Sequence, residues 1–179
     1  GCSTGTTLIN LDQVLPKDVE FVGFDNSDEM VKQCEANFKE VGVTRKYEIR
    51  NHDLNTGVKL ENASVVILCL TLQFIRPLYR EKLIQQIYEQ MNENGCLILI
   101  EKVHGEDSLF NRLFINYYYD FKRTNHYNDM EIAQKREALE NVLIPYKLLE
   151  NREMLLRNGF RYCEVFFKWY NFTGLVAIK

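Results

Sequence analysis

No apolar run in the 179 residues approaches the roughly 18 to 20 needed to cross a bilayer, so the chain reads as soluble and globular with no membrane partner. Lysine and arginine number 22 against 25 acidic residues, for a net charge of -3, and they are scattered. The broad electropositive face that draws in phosphate backbones is missing, so direct nucleic-acid binding is disfavoured. The five cysteines, Cys2, Cys34, Cys69, Cys96 and Cys163, are odd in number and widely spaced, without CxxC pairing and with only three histidines. That argues against a disulfide framework and against a zinc site, and makes a reducing cytoplasm the expected compartment. Internal repeats, low-complexity tracts and an interdomain linker are absent too, and a single domain over 1–179 is expected.

What is present is an alternation of element types. The chain opens on GCSTGTT, two glycines four apart among small residues. Residues 6–15 carry Leu8, Ile9, Leu11, Val14 and Leu15 at helical spacing, with Pro16 as the stop. VEFVGFD reads as a buried strand ending at Asp25. Ser27 is placed to cap the next helix, whose apolar face is Met30, Val31, Cys34 and Phe38 and whose stop is Gly42. KYEIRNHD and the continuous apolar SVVILCLT follow as strands. REKLIQQIYEQMN is an amphipathic helix closed by Asn94-Gly95, and CLILIEKV is another apolar strand. Continuous apolar strands alternating with helices predict an α/β fold, a doubly wound and mostly parallel sheet covered on both faces.

The rhythm changes after Gly105. Helices are expected over 107–124, 129–143 and 148–157, so that about 106–145 reads as a helical insertion. YCEVFFKWY and NFTGLVAIK then form a C-terminal antiparallel hairpin. These strands and the hairpin match the plan of nucleoside-dependent methyltransferases, in which a first strand runs straight into a glycine loop. That strand is not in the sequence, and a sheet lacking its central strand exposes two edges, so residues before Gly1 are expected.

The glycines let the backbone approach a ligand closely and turn sharply, although any tight strand-to-helix connection has the same needs. Asp25, at the carboxyl end of the next strand about twenty residues on, is where a carboxylate accepts both hydrogen bonds of a ribose diol. Asn26 follows it, and Asp53 ends the third strand of the plan, where an acceptor meets an adenine amine. Helix-cap duty is the plain alternative for Asp25, and a turn aspartate for Asp53. The loop is GCSTG rather than GxGxxG, and with the terminal hairpin this favours a sulfonium cofactor over a nicotinamide.

At GCSTGTT, FVGFDNSDEMV, ENASVVILCLTLQFI, EKVHGED, DFKRTNHYNDMEIAQKREALENV and FKWYNFTGLVAIK the sequence resembles the carboxy-S-adenosyl-L-methionine synthase family, from Gly1 to Lys179. The resemblance implies a homodimeric enzyme of the class I methyltransferase fold. It would convert S-adenosyl-L-methionine and prephenate to carboxy-S-adenosyl-L-methionine, phenylpyruvate and water, for the 5-oxyacetyl modification of wobble uridine in transfer RNA, and without a metal. By matching position, Gly1, Cys2 and Ser3 would line the methionine end, Asp25 and Asn26 hold the ribose, and Asp53 with Leu54 flank the adenine. Arg136 would face the new carboxylate as the catalytic cation. Cys69 stands where the family usually has an Asn that contacts the cofactor, and a thiol is a poor substitute for an amide.

Arg136 lies four residues after Ile132 and three before Leu139, a spacing that puts its charge on an apolar helical stripe and asks for an anion. A pairing with Glu140 is the plain alternative. Of Tyr117, Tyr118 and Tyr119, at most one or two can face one pocket; the rest pack in the core. Lys122 and Arg123 suit the two carboxylates of prephenate or a solvated helix end. His52, His104 and His126 show no partner pattern for general-base work. The rival readings are an ordinary small-molecule methyltransferase and a non-catalytic nucleoside-binding module, neither of which needs the second anion site at Arg136.

Overall fold

A computed structural model describes residues 1–179. The chain divides into two compact units, Gly1–Thr56 and Gly57–Lys179.

The first unit holds α1 (Thr6–Asp12), β1 (Phe21–Asp25), α2 (Asp28–Glu40) and β2 (Tyr47–Asn51). β1 and β2 pair in parallel with Asp25 opposite Asn51, so the strand ends are level. Ser27 caps α2 by accepting from the Met30 N–H, and Cys34 and Phe38 are fully buried on its inner face. Phe38 meets Tyr47 edge to face at 4.7 Å. α1 ends at Asp12, short of the expected Leu15, and buries none of its residues. The segment after it is held by Arg45, 4 % exposed, whose guanidinium donates to the Asp12 carboxylate at 2.6 Å and to the carbonyls of Asp12, Leu15, Pro16 and Val19. The Leu15 N–H still closes a helical bond to the Leu11 carbonyl at 3.0 Å, but Pro16 has no N–H to return to the Asp12 carbonyl, and the ladder ends there. Val22 on β1 is 47 % exposed, against the expectation of burial on both faces.

The second unit holds β3 (Ala63–Cys69), α3 (Pro77–Gln90), β4 (Met91–Lys102), α4 (Ser108–Thr124), α5 (Asp129–Leu139), α6 (Leu148–Arg157), β5 (Tyr162–Trp169) and β6 (Phe172–Ile178). Its sheet runs β3-β4-β6-β5 and is separate from β1-β2. β3 and β4 pair in parallel, while β4–β6 and β5–β6 are antiparallel, so this sheet is mixed, with one parallel and two antiparallel pairings. The α/β class and the terminal hairpin stand. Asn94-Gly95 does not stop a helix: α3 ends at Gln90, and residues 92–95 form a bulge in β4, where Asn94 takes φ +61°. α5 ends at Leu139 rather than 143, with Asn141 at φ +60° breaking the ladder. The unit's core joins β4 (Leu97, Leu99), α3 (Leu83, Ile84, Ile87) and α6 (Met154, Leu155).

Candidate active site

In the first unit the opening loop is fastened to the end of β1. The Cys2 N–H donates to the Phe24 carbonyl at 2.8 Å, and the Ser3 N–H to Oδ2 of Asp25 at 2.8 Å. Oδ1 of Asp25 accepts from the Ser27 N–H at 3.1 Å. One carboxylate therefore ties the loop to the entry of α2. Both the binding and the capping readings of Asp25 survive, because a carboxylate offers about four acceptor sites and only two are taken. Ser3 takes φ +50° and Gly5 φ +82°. A Cβ at Gly5 would lie 2.5 Å from Cys34 Sγ and 2.8 Å from Phe38, so only glycine lets the loop sit down on α2. Cys2 and Cys34 are hydrogen-bonded thiols, and burial pushes Cys34 up to about 12. Both remain protonated and inert at neutral pH.

Asn26 is exposed beside Asp25. Asp53 is exposed two residues past the end of β2, and its Oδ1 accepts from the backbone N–H and side-chain amide of Asn55, at 2.9 and 2.8 Å. These bonds hold its carboxyl below the usual range and give it the turn role. Leu54, 8 % exposed, begins the 3-10 turn that follows. The set suits a nucleoside. Acceptors stand at the carboxyl ends of two adjacent parallel strands, beside a loop of small residues, and residues 1–5 carry no lysine or arginine to meet a phosphate bridge.

In the second unit Cys69 ends β3, and burial, then the charge of Glu101, pushes its thiol up. It is a neutral group there. Glu101, 3 % exposed, accepts from the backbone N–H groups of Thr71, Leu72 and Gln73 at 2.8 to 3.0 Å. Burial outweighs those bonds and raises its carboxyl to about 7. Arg80, 1 % exposed, donates to the carbonyls of Ile75, Gln73 and Ile144 and lies over Tyr146 at 4.2 Å. Together they fix residues 70–75 after β3 against the segment that follows α5.

Arg136 lines a cleft of about 480 Å³ with Ile132 and Leu139, as the spacing implied. Glu140 lines it too, but the ion pairs of α4 and α5 run from Arg123 to Asp120 and Asp129, and none involves Arg136. Those pairs remove Arg123 from the candidate site, because its guanidinium is satisfied on the outer surface. Lys122 stays in the cleft, joined by Lys102 and Lys135. Tyr118 and Tyr119 line it, while Tyr117 stacks with Tyr170 at 5.3 Å. His126 is a left-handed turn residue and His52 an edge partner of Phe24; His104 lines a smaller recess beside the cleft.

The profile of the methyltransferase-domain family matches residues 1–95. The chain is 59 % identical to the carboxy-S-adenosyl-L-methionine synthase of Methylococcus capsulatus, over all of this chain and 74 % of that protein. The chain belongs to the carboxy-S-adenosyl-L-methionine synthase family. Synthases of that name from Helicobacter pylori and Nautilia profundicola are 44 % and 43 % identical, again over the whole chain and 72 % and 75 % of theirs. The fold is that of class I methyltransferases. The magnesium protoporphyrin IX methyltransferase of Synechocystis with bound SAM superposes with a TM-score of 0.64 at 17 % identity, over 100 % of this chain and 67 % of that one. The apo methyltransferase SibL gives 0.66 at 12 %, over 100 % and 48 %.

Glu101, Arg80, Arg45, Lys102 and Lys135 are residues that the sequence patterns above do not single out. Glu101 and Lys102 had a signal, two adjacent charges closing the apolar run CLILI at a strand end. Lys135 had none beyond its place next to Arg136.

Proposed function

We propose that this chain catalyses the synthesis of carboxy-S-adenosyl-L-methionine from S-adenosyl-L-methionine and prephenate, in the cytoplasm and as a homodimer. The observation that carries the reading is the cleft at Arg136, where four cations, Lys102, Lys122, Lys135 and Arg136, face a single acid, Glu140. Methyl transfer creates no new anion, whereas carboxyl transfer brings in a dicarboxylate and leaves a carboxylate on the product.

Adenosylmethionine supplies a methyl group acidified by its sulfonium. The chain's residues bind and orient: the Asp25 carboxylate, held by two backbone N–H groups, accepts from the ribose, Asp53 and Leu54 flank the adenine, and Arg136 meets the carboxylate. Atoms balance when prephenate gives up carbon dioxide and hydroxide to become phenylpyruvate. Carbon dioxide joins the methyl carbon, and the proton displaced there leaves with hydroxide as water. The cytoplasm suits five free thiols. The dimer is supported by exposed apolar side chains on α4 (Leu109, Phe110, Phe121) and on the edge strand β5 (Phe166, Phe167). Transfer RNA is not a direct ligand in this reading; it receives the product's group from another enzyme.

Mass spectrometry of incubations with both substrates should show a product one carbon dioxide heavier than adenosylmethionine together with phenylpyruvate, and neither with one substrate alone. Carbon from labelled bicarbonate in the product would exclude prephenate as the donor. Methylation of an added acceptor with no heavier cofactor would make the chain an ordinary methyltransferase.

A further inference from the structure

The cationic cleft is deeper than one arginine requires. Lys102 and Lys122 each set their ammonium 4.9 Å from the centre of the Tyr118 ring, one from β4 and one from α4, and Lys135 on α5 lines the same cleft. None of the three is in a salt bridge. Lys102 is held below the usual lysine range by burial and then by the charges of Lys122 and Lys135, and Lys122 by burial and then Lys135. Lys102 and Lys122 are thus partly desolvated, and the charge of Lys135 at the cleft bears on both, an arrangement that a bound anion relieves.

The cleft continues into a recess of about 130 Å³, which shares Lys102, Tyr118, Tyr119 and Pro145 with it. Asn171 stands on the wall of that recess. It is 4 % exposed, its backbone carbonyl accepts from the Val103 N–H, and its side-chain Oδ1 is buried without a hydrogen-bond partner. A buried acceptor left unpaired costs about 1 to 3 kcal/mol, so it marks a place where a donor is expected. A ligand that meets the lysines with carboxylates and Asn171 with a hydroxyl satisfies every group named here.

We propose that Lys102, Lys122 and Lys135, with Asn171 on the wall of the recess that shares Lys102, form the binding site for the hydroxylated dicarboxylate that donates the carboxyl group. The assignment rests on the function proposed above and extends it, because it gives the donor's two anionic groups and its hydroxyl partners distinct from Arg136. One cation suffices for the monocarboxylate end of the product. A dianion needs at least two more, and they stand on three different elements that line one cleft, two of them over one aromatic ring.

The test is calorimetric titration of prephenate, with initial rates in parallel, on wild type and on Lys102→Met, Lys122→Met and Lys135→Met. Methionine keeps the length of the side chain without its charge. Each variant should raise both Kd and KM for prephenate tenfold or more while leaving KM for adenosylmethionine within twofold. Lys122→Arg should restore prephenate binding to within threefold, which a merely structural lysine would not predict. Added salt should weaken prephenate binding by wild type more steeply than by the variants. Should Lys102→Met fail to fold, the two helix variants decide the matter. Wild type that turns over while both variants hold prephenate KM within twofold overturns the site and leaves the function standing. Wild type that binds prephenate through these lysines without forming the heavier cofactor keeps the site and overturns the function. No prephenate binding by wild type overturns the site.

Discussion

The loop at Asp25 and the cleft at Arg136 are built in opposite ways. The loop is made of backbone: its shape comes from Ser3 and Gly5 in the left-handed region and from N–H groups tied to one carboxylate and one strand carbonyl. The cleft is made of side chains converging from β4, α4 and α5. The loop side should be sensitive to Cβ volume and to its one carboxylate, whereas the cleft tolerates volume but not loss of charge. Mutations should sort accordingly.

The largest effect is expected on the backbone side. Gly5→Val sets a β-branched residue at φ +82° and drives Cβ to 2.5 Å from Cys34 Sγ, so it should cost on the order of 3 kcal/mol or more in urea unfolding. Wild-type stability in that variant would show that the loop does not rest on α2. Asp25→Ala should weaken adenosylmethionine binding by about 2 to 4 kcal/mol, since it removes the ribose acceptor and frees the Ser3 and Ser27 N–H groups together. Affinity within threefold of wild type would take Asp25 out of the site.

Arg136→Leu sharpens the contrast from the other side. Leucine suits the exposed helix beside Ile132 and Leu139, so the circular dichroism melt should be unchanged. Preference for carboxylated over parent cofactor should fall on the order of a hundredfold, about 3 kcal/mol, in paired titrations. Preserved preference would leave Arg136 a surface cation only.

Glu101 gives a pH test of the scaffold. Its folded carboxyl is raised to about 7 from 4.5, so the stability it contributes is full below about 4.5 and is lost as pH rises through 7. Glu101→Gln should flatten that slope by a few kcal/mol at most, by chemical denaturation at pH 5 and pH 8. An identical slope in the variant would mean Glu101 does not titrate in that window. The smallest effect is expected at Asp53→Ala, an exposed turn carboxylate, with under threefold loss of cofactor affinity; a hundredfold loss would make Asp53 an anchor equal to Asp25.

How much of this could be read in advance follows from the range of the interactions. Ser27 as a cap, α6 over Leu148–Arg157, and Asp25 at a strand end beside a glycine loop are decided within a few residues or by one strand's alternation, and the sequence carries them. Arg136 on an apolar stripe is equally local. Pro16 as the stop of α1 is local too, but the anchoring of that end by Arg45 was not legible, because Arg45 lies 33 residues from Asp12 along the chain. Nor was the fate of two neighbours of one charge type: Lys122 faces the cleft, and Arg123 is drawn out to Asp120 and Asp129.

What the sequence determined by itself is therefore the α/β alternation, the terminal hairpin, the glycine loop with its acid, and the family, all of which rest on periodicity, turn chemistry and contiguous motifs. The tertiary structure alone decided that Lys102, Lys122 and Lys135 share one cleft with Arg136, that the side-chain Oδ1 of Asn171 in the adjoining recess is buried unpaired, and that Glu101 is desolvated until its carboxyl titrates near 7. Desolvation and like-charge crowding depend on which distant segments pack together, and no local pattern along the chain encodes them.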